Sequence, residues 1–314
     1  MKKSKIGLIV LSSILLLALA LFGLTSCVSS SGTTTTKPDP DNGVQDLEPD
    51  VPQAGLFKAG SDELVYSWEQ LISRELVTVT DTTVVKFNDK LKGDVRIPDE
   101  ITKIKSSAFK SCSGLTGVYI GPNVAEIGDS AFLECTGLKT LTIEGGVTKI
   151  GSKAFSGCTG LSSVVIGDGV TSIESSAFAG CTNLKYLVVS DSVTSIGNSA
   201  FSGCTGIKLA YIGKSVTSIG ESAFKNCTAL EKIFIPAKVS YIGSSAFFNC
   251  NVLDTVNYEG TLFQFRKVTI GKSNTCLTDT RIKYSISAED ELTFILSEIN
   301  PPETPTPEDN VATE

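Results

Sequence analysis

From about residue 94 onward, apolar positions return at one fixed interval. Phe stands at 109, 132, 155, 178, 201, 224 and 247, always 23 residues after the last. Five residues before each comes Ile104, Ile127, Ile150, Ile173, Ile196, Ile219 and Ile242, and three after it comes Cys112, Cys135, Cys158, Cys181, Cys204, Cys227 and Cys250. Each unit reads V-x-x-I-x-x-x-A-F-x-x-C-x-x-L-x-x-V-x-I, often followed by a turn residue such as Gly121, Gly167, Gly213 or Pro236. The alternation at Leu141 and Ile143, or Ile233 and Ile235, predicts a strand with both residues on one face, and Leu138 or Leu230 on the turn leading in. The Ala-Phe segment has room for no more than a turn or two of helix.

A unit this short cannot bury its own Phe and aliphatic set, so neighbouring units must stack and share one core. The predicted fold class is an α/β solenoid of seven 23-residue repeats over 94–258 with a parallel β-sheet face. Seven strands at about 4.8 Å would make that sheet roughly 35 Å wide. A solenoid also needs closing segments at its ends. Residues 61–93 supply one, where Ser67-Trp68-Glu69-Gln70 has the form of a capping box, Trp68, Leu71 and Ile72 share a helical face, and Leu76–Val79 and Val84-Val85 read as strands. Val95 and Ile97 then open the strand ladder.

The run V-T-S-I-G-x-S-A-F-x-G-C-T-x-L between 170 and 230 closely resembles the BspA-like leucine-rich repeat family. The likeness extends to Asn257–Gly260, Val268–Gly271 and Ile282–Tyr284, similar to that family's closing cap, so residues 259–287 form the second cap. The resemblance implies a bacterial surface protein that adheres to host extracellular-matrix proteins or to other bacteria.

Residues 1–26 read as a secretory signal, with Lys2, Lys3 and Lys5 ahead of an apolar run from Ile6 to Leu24. Leu24-Thr25-Ser26-Cys27 resembles a bacterial lipobox, which implies lipidation of Cys27 and attachment to a membrane. Ordinary cleavage, or an uncleaved anchor, is the alternative. Val28 lacks the acidic residue associated with inner-membrane retention in the lipoproteins it resembles, which favours the outer membrane surface. Residues 27–60, rich in Ser, Thr, Pro and Gly, suit a disordered tether. Residues 288–314 carry eight acidic residues, no Lys or Arg, and four prolines. That composition favours a mobile tail in which 291–296 could pair locally, with docking as the alternative.

Net charge is −7, and loss of the three leader lysines takes it to −7 − 3 = −10. No clustered cationic surface is visible, which argues against nucleic acid. The absence of His removes the commonest general base and most zinc or non-haem iron sites. Glu126, Asp129, Glu134, Glu144, Asp168, Glu174 and Asp191 form no column, so paired-carboxylate hydrolysis has little support, and no phosphate-binding glycine loop follows a strand. No cofactor or metal is implied and no enzyme is expected. Equivalent cysteines stacked about 4.8 Å apart are too far for the ~3.8 Å Cβ separation of a disulfide, so a ladder of free packing thiols is expected. Cys276 lies outside it, either exposed or another core cysteine.

Between the two buried positions of each strand one residue must point outward: Tyr119, Thr142, Val165, Val188, Tyr211, Phe234 and Asn257. With Tyr186, Lys185, Lys208 and Lys232 beside it, this stripe has the composition of a protein-recognition surface, and Tyr119, Val165, Tyr186, Val188, Tyr211 and Phe234 are the candidate ligand-binding residues. The competing reading is that β-branched and aromatic residues sit there only because they pack well across strands. The sequence thus points to a lipid-anchored binding protein for another protein, with a structural scaffold inside the envelope as the alternative.

Overall fold

The computed structural model describes residues 68–285 apart from 74, 90, 91 and 278–281. The leader, Cys27, the tether, Ser67 of the expected capping box and the acidic tail lie outside the described residues.

Two sheets run the length of the solenoid. One has nine strands: β3 (Gly93–Ile97), β5 (Leu115–Ile120), β7 (Thr140–Ile143), β9 (Ser163–Ile166), β11 (Tyr186–Val189), β13 (Leu209–Tyr211), β15 (Lys232–Ile235), β17 (Thr255–Tyr258) and β19 (Ile282–Tyr284). The other begins with the hairpin β1 (Val77–Thr80) and β2 (Thr83–Phe87). It continues through two-residue strands β4 (Lys103–Ile104), β6 (Glu126–Ile127), β8 (Lys149–Ile150), β10 (Ser172–Ile173), β12 (Ser195–Ile196), β14 (Ser218–Ile219), β16 (Tyr241–Ile242) and β18 (Thr269–Ile270). Beyond the antiparallel hairpin every pairing is parallel, and within the repeats the register advances by one repeat, as in Ser172↔Ser195 and Val164↔Leu187.

The Ala-Phe segments are turns, not helix. The cause is local: the residue two before each Phe and the residue two after it both have positive φ, as at Ser130 (56°) and Glu134 (61°), or Ser176 (57°) and Gly180 (75°). Left-handed residues on both sides prevent a right-handed helix from propagating. The Phe N–H instead donates to the next repeat, for example Phe132 N to Ala154 O at 2.7 Å and Phe155 N to Ala177 O at 2.7 Å. Helix among the described residues is confined to Trp68–Ser73, Leu262–Phe265 and a 3₁₀ turn at Thr275–Leu277.

Between the sheets the seven phenylalanines, each no more than 1% exposed, stack with centroids 4.6 to 5.5 Å apart and rings within 16° of parallel. Phe87 adds an eighth ring 4.7 Å from Phe109, so the core starts one turn before the strict repeat. Leu71 is buried but Ile72 is 46% exposed, which corrects the expectation that both pack on the same face. A Thr261–Gln264 capping box starts the second helix. At the far end Asn274 plugs the stack: its Oδ1 accepts from Phe247 N at 2.9 Å, and its Nδ2 donates to Gly243 O and Gly271 O, each at 2.9 Å.

Candidate binding surface

In the nine-stranded sheet, Val118 and Ile120 or Ile233 and Ile235 belong to the core cluster, whereas Tyr119, Val188, Leu209, Tyr211 and Phe234 do not. Strand alternation sends these five to the opposite, outward face. They are nonetheless buried, at 4, 4, 7, 5 and 3% exposure. This departs from an open stripe, because alternation fixes direction and not accessibility. Smaller residues of the same face, Thr142 and Ser163, are half-buried, and Tyr186 is half-buried too. Nothing is described of the Val165 side chain beyond its place in β9.

Specific contacts hold the tyrosines. Arg96 lies over the Tyr119 ring at 4.2 Å, and the Tyr119 hydroxyl donates to Glu144. Burial, then the Glu144 carboxylate, pushes the Tyr119 phenol above its usual range. The Tyr211 hydroxyl donates to Asp191 at 3.3 Å, and its ring tilts 38° against Phe234 at 6.5 Å. Burial, and then Asp191, raises the Asp168 carboxyl above the ordinary carboxylate range. Asn257 pairs in register with Phe234, is 5% exposed, and its Oδ1 has no hydrogen-bond partner. At the start of these strands a shallow open groove of about 360 Å³ is lined by Tyr186, Lys208, Leu209, Glu231, Lys232, Asp254 and Thr255. The structure therefore brings Tyr186, Val188, Tyr211 and Phe234 together on neighbouring strands and leaves Tyr119 three strands from Val188. Leu209 and Asn257 complete the patch; Leu209 takes the strand position held by Tyr186 and Lys232 in adjacent repeats, a column not singled out from the sequence.

The cysteines form a free, buried ladder. From Cys135 to Cys250 each thiol donates to the Phe carbonyl 26 residues earlier, at 2.9 to 3.3 Å. Cys276 continues it, half-buried and 3.7 Å from Phe247 O. Burial, and then the neighbouring thiol, pushes Cys112 and Cys250 up to about 12, the opposite of nucleophile activation. Among the described residues no cluster of three or more His, Cys, Asp or Glu could hold a metal, and no helix is long and apolar enough to cross a membrane.

The repeats match the family described as BspA type Leucine rich repeat region in six copies, over residues 85–208 and 148–276. The chain belongs to this family. Two solved structures of leucine-rich repeat proteins have a similar fold. A leucine-rich repeat protein of T. pallidum has a TM-score of 0.51 at 22% identity, covering 61% of this chain and 90% of that one. Another from Bacteroides ovatus has a TM-score of 0.53 at 25% identity, covering 67% of this chain and 62% of the other. No curated protein matches the sequence. Leucine-rich repeat proteins generally bind proteins.

Proposed function

We propose that this chain is a lipid-anchored, cell-surface adhesin without catalytic activity that binds another protein through the outward face of the nine-stranded sheet. The observation that carries the reading is the patch of Val188, Leu209, Tyr211 and Phe234, a set of large apolar side chains placed outside the core cluster. Aromatic side chains at the centre of a patch with lysines at its edge are what protein interfaces use as anchors. Lipidation at Cys27 and export to the outer membrane surface are supported by the leader and lipobox-like residues.

The test is capture of the chain by immobilised extracellular-matrix proteins and by intact bacterial cells. Tyr211→Ser with Phe234→Ser should weaken capture while the circular dichroism spectrum is kept, and equal capture would reject this surface. Protease shaving of intact cells should release the repeats; full protection would favour the envelope scaffold instead. Metabolic palmitate labelling should be lost in Cys27→Ser, and persistence of the label would remove the anchor from the proposal.

A further inference from the structure

Exposure on the outward face does not follow side-chain size. In one ladder of a flat parallel sheet, larger side chains reach further from the backbone and should show more surface. Here Thr142 remains half-exposed while Tyr211 and Phe234 of the same ladder, three and four strands further on, show 5 and 3%; in the neighbouring ladder Ser163 and Tyr186 are half-exposed and Leu209 shows 7%. Large outward side chains are buried in two places: Tyr119 on β5, which Arg96 covers, and Val188, Leu209, Tyr211, Phe234 and Asn257 from β11 to β17, beside β19, where the described chain leaves the sheet at Ser285.

The residues that follow have matching chemistry. Leu292, Phe294, Ile295, Leu296 and Ile299 are a concentrated apolar run, bracketed by Glu289, Asp290, Glu291 and Glu298. Lys185 and Lys208 are exposed just before β11 and β13 and Lys232 is half-buried at the start of β15, while Glu231 and Asp254 continue the Lys185–Lys208 column before β15 and β17. Reach is sufficient. Seven residues from Ser285 to Leu292 extend about 23 Å, and three strand intervals from β19 to β13 need about 14 Å.

We propose that residues 288–299 dock on the outward face of this same chain, with Leu292, Phe294 and Leu296 against Val188, Tyr211 and Phe234 and the acidic residues toward Lys208 and Lys232. A segment tied this closely has an effective concentration in the mM range, so contacts too weak to hold a free peptide keep it in place. The segment then competes with any protein partner and lowers its apparent affinity by the fraction of faces it occupies. That regulatory consequence rests on the binding role proposed above; the docking does not.

The experiment uses the full chain. With p-benzoylphenylalanine in place of Phe294, photo-cross-links within one molecule should map to residues 186–234. Cross-links confined to Phe248 of the last repeat and Phe263 of the closing cap, cross-links between molecules only, or none at all would overturn the proposal. Hydroxyl-radical footprinting of the variant Leu292→Asp, Phe294→Asp, Leu296→Asp should show severalfold faster oxidation of Tyr211 and Phe234, with the core ring Phe178 still protected. Unchanged oxidation of Tyr211 and Phe234 beside a protected Phe178 would equally reject docking. Neither readout involves a partner, so failure here leaves the recognition surface to be judged by its own capture assay.

Discussion

At the scale of single residues, identical side chains in register carry most of the packing. The stacked phenylalanines are buried on all sides, so Phe178→Ala should cost about 3–5 kcal/mol, read as a fall in the urea midpoint with an unchanged slope. The thiols give a pH signature. Cys112 and Cys250 ionise near 12 when folded but near their ordinary value of 9.0 when unfolded. Raised folded values mean that their contribution to stability is complete below pH 9 and drains away between pH 9 and 12. Urea midpoints should therefore fall over that window, less steeply once Cys112 and Cys250 are both Ala; a flat midpoint would contradict buried, protonated thiols. Sequence periodicity revealed these columns directly. It could not reveal Cys276 as an eighth rung, because the cap places it 26 residues after Cys250 and not 23.

The elements obey a rule that is only half visible in the sequence. Long strands were legible because apolar residues alternate in them. The second sheet was not, because a two-residue strand such as Ser172–Ile173 offers one apolar position and no alternation. The turns around each Phe were harder still: Ser is not the residue usually found at positive φ, yet Ser130, Ser176, Ser199, Ser222 and Ser245 all adopt it. Ser176→Ile should cost about 1–3 kcal/mol because a β-branched residue is strained there, whereas Ser176→Gly should fold normally; thermal unfolding distinguishes them. Close approach of successive turns sets a second constraint. A Cβ on Gly146 would lie 1.6 Å from Pro122 O, so Gly146→Ala should destabilise by about 1–3 kcal/mol through a forced backbone shift, read from the same unfolding curves. For the candidate surface, alternation gives Tyr211 and Phe234 a direction but carries no information about how far they are exposed.

For the molecule as a whole, stability is close to a sum over turns and their interfaces, because each turn touches only its neighbours. Excising one complete period, residues 170–192, should leave a folded and slightly less stable protein, while excising 170–180 should unfold it by setting Phe against the wrong column. Circular dichroism and a melting curve on both deletions would decide, and two equally folded products would refute the register argument. The ends follow a different logic from the middle. The hairpin of β1 and β2 shuts one, and Asn274 shuts the other by filling the place that the next turn's Ala carbonyl occupies everywhere else. Asn274→Ala would strand the buried Phe247 N–H, at about 1–3 kcal/mol. It would also uncork the rod: with one open mouth per molecule, copies should meet in pairs and stop, and only loss of the hairpin as well would let them run on into fibres, which sedimentation at rising concentration would reveal.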